Sequence, residues 1–288
     1  MADLHRSTLK LIECPRDAMQ GWAHFIPTAQ KIDYINALLK VGFDTIDFGS
    51  FVSPKAIPQM ADTHEVIRGL DTSSATKLLA IVANERGAID AVAYDAIHYL
   101  GYPFSVSETF QQRNTQASIA ESLQRVATIQ NLCEKNNKQL VVYISMGFGN
   151  PYGDPYNEAI VFEWVHKLVS LGIEIISLAD TVGLATADQV SSVTKYLVTA
   201  LPQAEIGVHL HAKADDWKPK AAAALETGAL RFDGALKGIG GCPMAGDALV
   251  GNMDTEQMIP WFREQGFLQE LDMAQLQTCG RMASSIFI

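Results

Sequence analysis

The chain has 288 residues, 48% of them hydrophobic and 19% charged. That is enough apolar material for a sizeable core, and for one α/β barrel spanning 1–288 as a single domain. Lys and Arg number 22 against 32 Asp and Glu, a formal net charge of −10, and this acidic balance speaks against nucleic acid and against anionic membranes as partners.

The first ten residues hold no apolar stretch, so neither a signal nor a transit peptide is expected. No window approaches the roughly 18 consecutive apolar residues of a membrane span. Cys14, Cys133, Cys242 and Cys279 are far apart and form no CxxC pair. Free thiols in a reducing cytoplasm are the expected state.

In chain order, short β-branched or apolar runs alternate with helical patterns. The runs are Leu11–Pro15, Thr45–Gly49, Lys77–Val82, Phe104–Ser107, Gln139–Met146, Ile173–Ala179, Ile206–His211 and Arg231–Leu236. Most are nearly continuous in apolar residues, as parallel strands buried on both faces should be. Ile32, Ile35, Leu38 and Leu39 form a helical stripe, with Thr28 as the expected N-cap and Gly42 as the stop. Ser118 with Glu121, and Thr186 with Gln189, have capping-box spacing ahead of further stripes. Val161, Trp164, Val165, Leu168 and Leu171 form another, ended by Gly172. Gly147–Pro155 reads as a loop after the fifth strand, and Glu256–Gln265 and Leu271–Met282 as closing helices. Eight units of about 36 residues each are the scale of a βα repeat. They predict a (β/α)8 TIM barrel with extra C-terminal helices.

Chemistry in such a barrel sits where strands end. The polar residues there are Arg16 and Asp17 after the first strand, Asp47 on the second, Asp180 after the sixth, and His209 and His211 on the seventh. After the eighth comes Gly238–Asn252, with five glycines around Cys242. Residues i and i+2 of a strand share a face, so His209 and His211 point to one side. Two such imidazoles suit a metal; the alternative is a hydrogen-bonded pair with no ion. With Asp17 as a hard oxygen donor, Mg²⁺ or Mn²⁺ fits the set better than structural Zn²⁺. Arg16 is either a salt-bridge partner or a donor to a developing oxyanion. Cys242 is either a buried structural thiol or an acid, base or nucleophile on a mobile loop. The glycine-rich stretch itself is either a flexible connector or a lid. No GxGxxG follows the first strand and no GxxxxGK[ST] occurs, so a nucleotide fold has no support.

Four motifs in order carry a family resemblance: Pro15-Arg16-Asp17-Ala18-Met19-Gln20; Ser50-Phe51-Val52-Ser53-Pro54-Lys55 with Pro58-Gln59-Met60-Ala61-Asp62; His209-Leu210-His211; and Gly240-Gly241-Cys242-Pro243 leading to Gly251-Asn252. Together they resemble the 3-hydroxy-3-methylglutaryl-CoA lyases, within the metal-dependent aldolase-type barrels that include isopropylmalate and homocitrate synthases. The resemblance covers about residues 10–270. It implies Asp17, His209, His211 and Asn252 as ligands of a divalent cation, Mg²⁺ or Mn²⁺. It further implies Arg16, Asp47, Asp180, His209 and Cys242 as the catalytic set. The implied reaction splits a 3-hydroxy-3-methylglutaryl thioester into acetyl-CoA and acetoacetate, as in leucine degradation and ketone-body formation. The expected partners are an acyl-CoA substrate and a second copy in a homodimer.

The sequence also departs from the family. Gly21-Trp22-Ala23 replaces the family's Asn-Glu-Lys, Asp47 stands for a glutamate, Met146 for a cysteine, and Ala212-Lys213-Ala214-Asp215 for Asp-Thr-Tyr-Gly. A phosphate or pantetheine contact is therefore expected to come either from elsewhere or from a stacking Trp22 indole. Two other readings stay open: an aldolase or Claisen enzyme acting on another 3-hydroxy acid or its thioester, and a barrel that binds acyl-CoA without turnover.

Overall fold

The computed structural model describes residues 8–241 and 250–288. Eight parallel strands close on themselves in sequence order. They are β1 (Lys10–Glu13), β2 (Thr45–Ser50), β3 (Lys77–Ile81), β4 (Ile97–Ser105), β5 (Gln139–Ser145), β6 (Ile175–Asp180), β7 (Glu205–Leu210) and β8 (Arg231–Gly234). Closure runs through β1 and β8, with Lys10 opposite Arg231 and Glu13 opposite Gly234. The expected (β/α)8 barrel is the observed one.

The helices are α1 (Pro15–Gln20), α2 (Thr28–Leu38), α3 (Thr63–Gly69), α4 (Glu85–Val92), α5 (Glu108–Thr115), α6 (Ile119–Lys135), α7 (Glu158–Ser170), α8 (Ala187–Ala200), α9 (Trp217–Glu226), α10 (Thr255–Glu264) and α11 (Met273–Ile286). Both expected capping boxes form, Ser118 with Glu121 on α6 and Thr186 with Gln189 on α8. Each satisfies two backbone N–H groups that a helix start leaves open.

Three local expectations change. Thr28 is not a cap: Pro27 holds that position, and the Thr28 hydroxyl donates instead to Asp62 at 2.7 Å. Pro15 does not prolong the first strand. It opens α1, because its fixed φ and missing N–H suit the first turn of a helix. β4 begins at Ile97, well before Phe104, since Tyr99, Leu100 and Tyr102 pair in register with β5.

Every strand has two faces. Outward residues such as Ile46, Leu100, Val142, Leu178, Val208 and Phe232 are fully buried against the helices in one large apolar cluster. Inward residues Leu79, Tyr99, Val141, Tyr143 and Ile175 form a separate, smaller cluster along the barrel axis.

Candidate active site

Because Pro15 starts a helix directly after β1, Arg16, Asp17 and Gln20 are carried on α1 at the strand mouth. The Arg16 guanidinium is buried and clamped. Nε donates to both Asp47 oxygens, at 3.2 and 3.0 Å, and Nη2 donates to Asp47 Oδ2. Nη1 donates to Asp17 at 3.1 Å and to Gln20 at 2.9 Å. Of a guanidinium's five N–H donors, that leaves one on Nη2. Burial disfavours the charge on Arg16, yet Asp47 and Asp17 outweigh it and hold its pKa above the ordinary value. Asp47 is pushed up to about 6, chiefly by burial, with Arg16 pulling the other way.

Asp17 accepts from Gln20 Nε2 at 2.6 Å, from Asn252 Nδ2 at 2.6 Å and from the Gly241 amide at 3.3 Å. Burial alone would raise its pKa, but Arg16, His209 and His211 bring it down to about 2. Gly240 is required for this arrangement. It has φ of +112°, and a Cβ there would lie 2.5 Å from the Asn252 amide nitrogen.

Ligand atoms of Asp17, His209 and His211 lie within 4.8 Å of one another, all buried. His209 Nδ1 is 3.0 Å from Asp233 Oδ2. His211 Nδ1 is 3.0 Å from the Val250 carbonyl. A carboxylate and a carbonyl only accept, so each Nδ1 carries a proton and each Nε2 is the ring nitrogen left to bind an ion. Burial disfavours the charge on His209, yet Asp233 and Asp17 outweigh it and hold its pKa above the ordinary value. Burial first, and His209 second, depress His211 to about 4, so its imidazole is neutral at pH 7. Asn252 joins the trio through Asp17, and because its Nδ2 also donates to the Ile239 carbonyl at 2.9 Å, its amide oxygen is the atom left to give an ion. The donor set of one carboxylate, two imidazoles and one amide fits a divalent cation.

A cavity of about 260 Å³ opens on this group. Among the described residues its charged or imidazole lining is confined to Arg16, Asp17, His209 and His211. The remaining lining is neutral, with Asn84, Phe110, Asn114, Gln116 and Tyr143 among it.

A profile of the HMGL-like family matches residues 9–282. The chain belongs to the HMGL-like family. The cytoplasmic 3-hydroxy-3-methylglutaryl-CoA lyase of Danio rerio is 31% identical over 273 residues, 94% of this chain and 81% of the relative. A hydroxymethylglutaryl-CoA lyase of Bacillus subtilis is 32% identical over 93% of this chain and 89% of its own length. Among solved structures, an HMG-CoA lyase from Acinetobacter baumannii in complex with coenzyme A and 3-methylmalate superposes with a TM-score of 0.90. It is 33% identical, and the match covers 97% of this chain and 91% of that one. The Brucella melitensis HMG-CoA lyase gives 0.90 at 30% identity, covering 97% and 99%.

Within this HMGL-like barrel most of the expected site residues converge: Arg16, Asp17, Asp47 and Asn252 are one hydrogen-bonded group, and His209 and His211 bring ligand atoms within 4.8 Å of that of Asp17. Asp180 does not line the cavity, although its neighbours Ala179 and Thr181 do. Its oxygens accept from the Leu184 and Ala185 amides at 2.8–3.1 Å and from Lys220 at 3.2 Å. Lys220 also donates to the His211 carbonyl at 3.2 Å, so Asp180 acts on the strand end that carries His211. Trp22 does not line the cavity either. Its ring meets Phe287, beyond α11, edge-on with centroids 5.3 Å apart. Cys242 lies outside the described residues. Sequence reasoning missed Asp233 and Lys220. The signal for Asp233 was available, since it stands on a strand two residues from Arg231 and therefore shares its face; Lys220 is 40 residues from its carboxylate partner and left no local mark.

Proposed function

We propose that the chain is a divalent-metal-dependent carbon–carbon lyase that cleaves 3-hydroxy-3-methylglutaryl-CoA into acetyl-CoA and acetoacetate. One observation carries the reading: a buried Asp–His–His trio and a clamped arginine share one cavity in a chain that belongs to the HMGL-like family. Asp17, His209, His211 and Asn252 would hold the cation, Mg²⁺ or Mn²⁺. When bound, the cation supplies Lewis-acid polarisation of the substrate's tertiary hydroxyl.

The chain's own residues do the rest. The hydroxyl gives up its proton to solvent at the mouth of the cavity, the C2–C3 bond breaks, C3 becomes the ketone of acetoacetate, and the electron pair passes into the thioester enolate. Arg16 meets that enolate with its remaining Nη2 hydrogen, preorganised by Asp47 and Asp17. Asp180 holds Lys220 and the β7 end in place. Protonation of the enolate carbon completes acetyl-CoA, and Cys242 is the proposed acid, a role resting on the family resemblance. The neutral remainder of the cavity supports an uncharged pantetheine arm as its occupant. Cys14, Cys133 and Cys279 are buried free thiols, which supports a reducing compartment such as the cytoplasm as the place of action.

The deciding assay measures acetyl-CoA release from a small panel of 3-hydroxyacyl thioesters, after chelation and again with Mn²⁺. Metal-dependent release from the 3-hydroxy-3-methylglutaryl thioester is the expected result. Release from a different thioester alone would move the chain to a related aldolase or Claisen activity, and binding without release would make it an acyl-CoA-binding barrel. Alkylation should inactivate, with substrate protecting, and Cys242→Ser should lose most of the activity while keeping fold and metal; full activity in that variant would move the acid elsewhere. Light scattering decides between a monomer and the homodimer expected above.

A further inference from the structure

The barrel interior holds a row of polar groups that the reaction above does not use. Across the strands, Tyr143 of β5 pairs with Ser177 of β6, Ser177 with Gly207 of β7, and Gly207 with Arg231 of β8. Arg231 is fully buried, and its stem lies across Gly207. A Cβ at 207 would come within 2.8 Å of Arg231 Cβ and 3.0 Å of Cγ and Cδ, so glycine is what makes room for it. The guanidinium sits 5.5 Å over the Tyr99 ring, and Nη1 is 3.5 Å from Glu205. Nε and Nη2 have no protein partner among the described residues. A permanent charge is costly to bury unless a counter-charge is near. The nearest on its own strand is Asp233, two residues on and on the same face.

Asp233 is fully committed to one neighbour. Its Oδ2 meets His209 Nδ1, while Oδ1 has no protein partner among the described residues. Its only hydrogen bond therefore leaves its orientation to His209 and to the charge of Arg231. Cys14 completes a second buried group with His209 and Asp233. Burial, reinforced by Asp233, Asp47 and Asp17, raises that thiol well above its ordinary pKa. It is a neutral neighbour and leaves the imidazole to the carboxylate.

We propose that Asp233 is a positioning residue for the metal centre, fixing the His209 ring and its tautomer so that Nε2 is presented beside Asp17 and His211, and that Arg231, seated across Gly207, aligns Asp233 from the barrel interior. The inference rests on the reading of Asp17, His209 and His211 as a cation site. A carboxylate behind a metal-binding histidine selects the tautomer and steadies the ring, and losing it typically costs 10–100-fold in metal affinity.

The test compares wild type, the near-isosteric Asp233→Asn and Arg231→Met as full-length proteins. Nitrogen NMR of ¹⁵N-histidine-labelled, metal-free protein reads the His209 tautomer, and calorimetry with Mn²⁺ reads affinity. At alkaline pH, where the ring is neutral, wild type should show His209 protonated at Nδ1 alone. Asp233→Asn, whose amide can donate as well as accept, should lose that single tautomer and bind Mn²⁺ about 10–100-fold more weakly. Arg231→Met should weaken binding several-fold with the tautomer kept. An Asp233→Asn protein unchanged in both readouts would overturn the role of Asp233. Unchanged affinity in Arg231→Met would overturn the role of Arg231. If wild type binds no Mn²⁺, the cation-site reading fails, and the NMR signature still decides whether Asp233 sets the ring.

Discussion

The two faces of the same strands are different environments one residue apart. The outward face of β6–β8 contributes Leu178, Val208 and Phe232, each fully buried against the surrounding helices. The inward face of β7 and β8 contributes His209, Arg231 and Asp233, also buried, but as charged or hydrogen-bonding groups. Alternation along a strand thus lets one backbone serve two ends. The outer residues supply burial free energy, and the inner ones give some of it up to hold polar groups in fixed relation. Stability and chemistry should therefore respond separately to substitutions at adjacent positions.

The largest expected effect is on the outer face. Leu178→Ala should cost about 2–5 kcal/mol in urea denaturation, from lost burial and the cavity left behind, while kcat per folded molecule holds. A fall in kcat with no fall in stability would break the comparison. The counterpart at the barrel mouth is Arg16→Met. Its kcat should drop about 10²–10³-fold in steady-state kinetics, as when a preorganised oxyanion donor is removed. The fold should survive, because Asp47, already raised to about 6, takes up a proton once its guanidinium is gone.

Glu13 sharpens the contrast, as a buried carboxylate on the last residue of β1. It accepts from the Leu236 amide at 2.8 Å and from the Thr255 hydroxyl at 2.6 Å. Burial raises its pKa from 4.5 to about 8. A raised acid binds a proton more tightly in the folded state, so its stabilising effect is complete below pH 4.5 and is lost as pH climbs to 8. Within that window the slope approaches about 1.4 kcal/mol per pH unit. Glu13→Gln keeps one acceptor and one donor in place and removes the titration. Its melting temperature should vary less with pH than that of wild type and exceed it above pH 8; parallel profiles would refute the assignment. The smallest effect belongs to Trp22→Ala. Losing the edge-on contact with Phe287 should cost about 1 kcal/mol, with KM for the thioester changed less than about twofold. A large rise in KM would restore the substrate contact that the sequence suggested.

Much of this was legible beforehand, for identifiable reasons. Near-continuous apolar runs with capping signals between them made the barrel readable. His209 and His211 announced themselves because a strand's period of two puts them on one side. Arg16 and Asp17 stood out by their place after a strand, although the helical turn that aims them depends on Pro15. What escaped depended on distance along the chain. Asp180 looks catalytic at a strand end, but its oxygens are taken by Leu184, Ala185 and Lys220. Trp22 sits in a motif that elsewhere carries charge, and only the fold reveals that its neighbour is Phe287. β4 begins at Ile97, earlier than the run from Phe104 suggested, because Tyr99 and Leu100 pair with β5.

The closure of β1 on β8 also dictates when during synthesis the site can exist. Asp17 is joined to Asn252 across 235 positions of sequence, and Glu13 to Thr255 across 242. A ribosome delivers the first carboxylate early and the amide near the end. An emerging chain therefore carries Asp17 without His209, His211 or Asn252, and a lone carboxylate has little hold on a cation. The centre is assembled only after nearly the whole polypeptide has left the exit tunnel, with slow, non-local pairing as its last step. Under the cation-site reading proposed above, retention of a divalent ion would mark a molecule in which β1 and β8 have closed the ring.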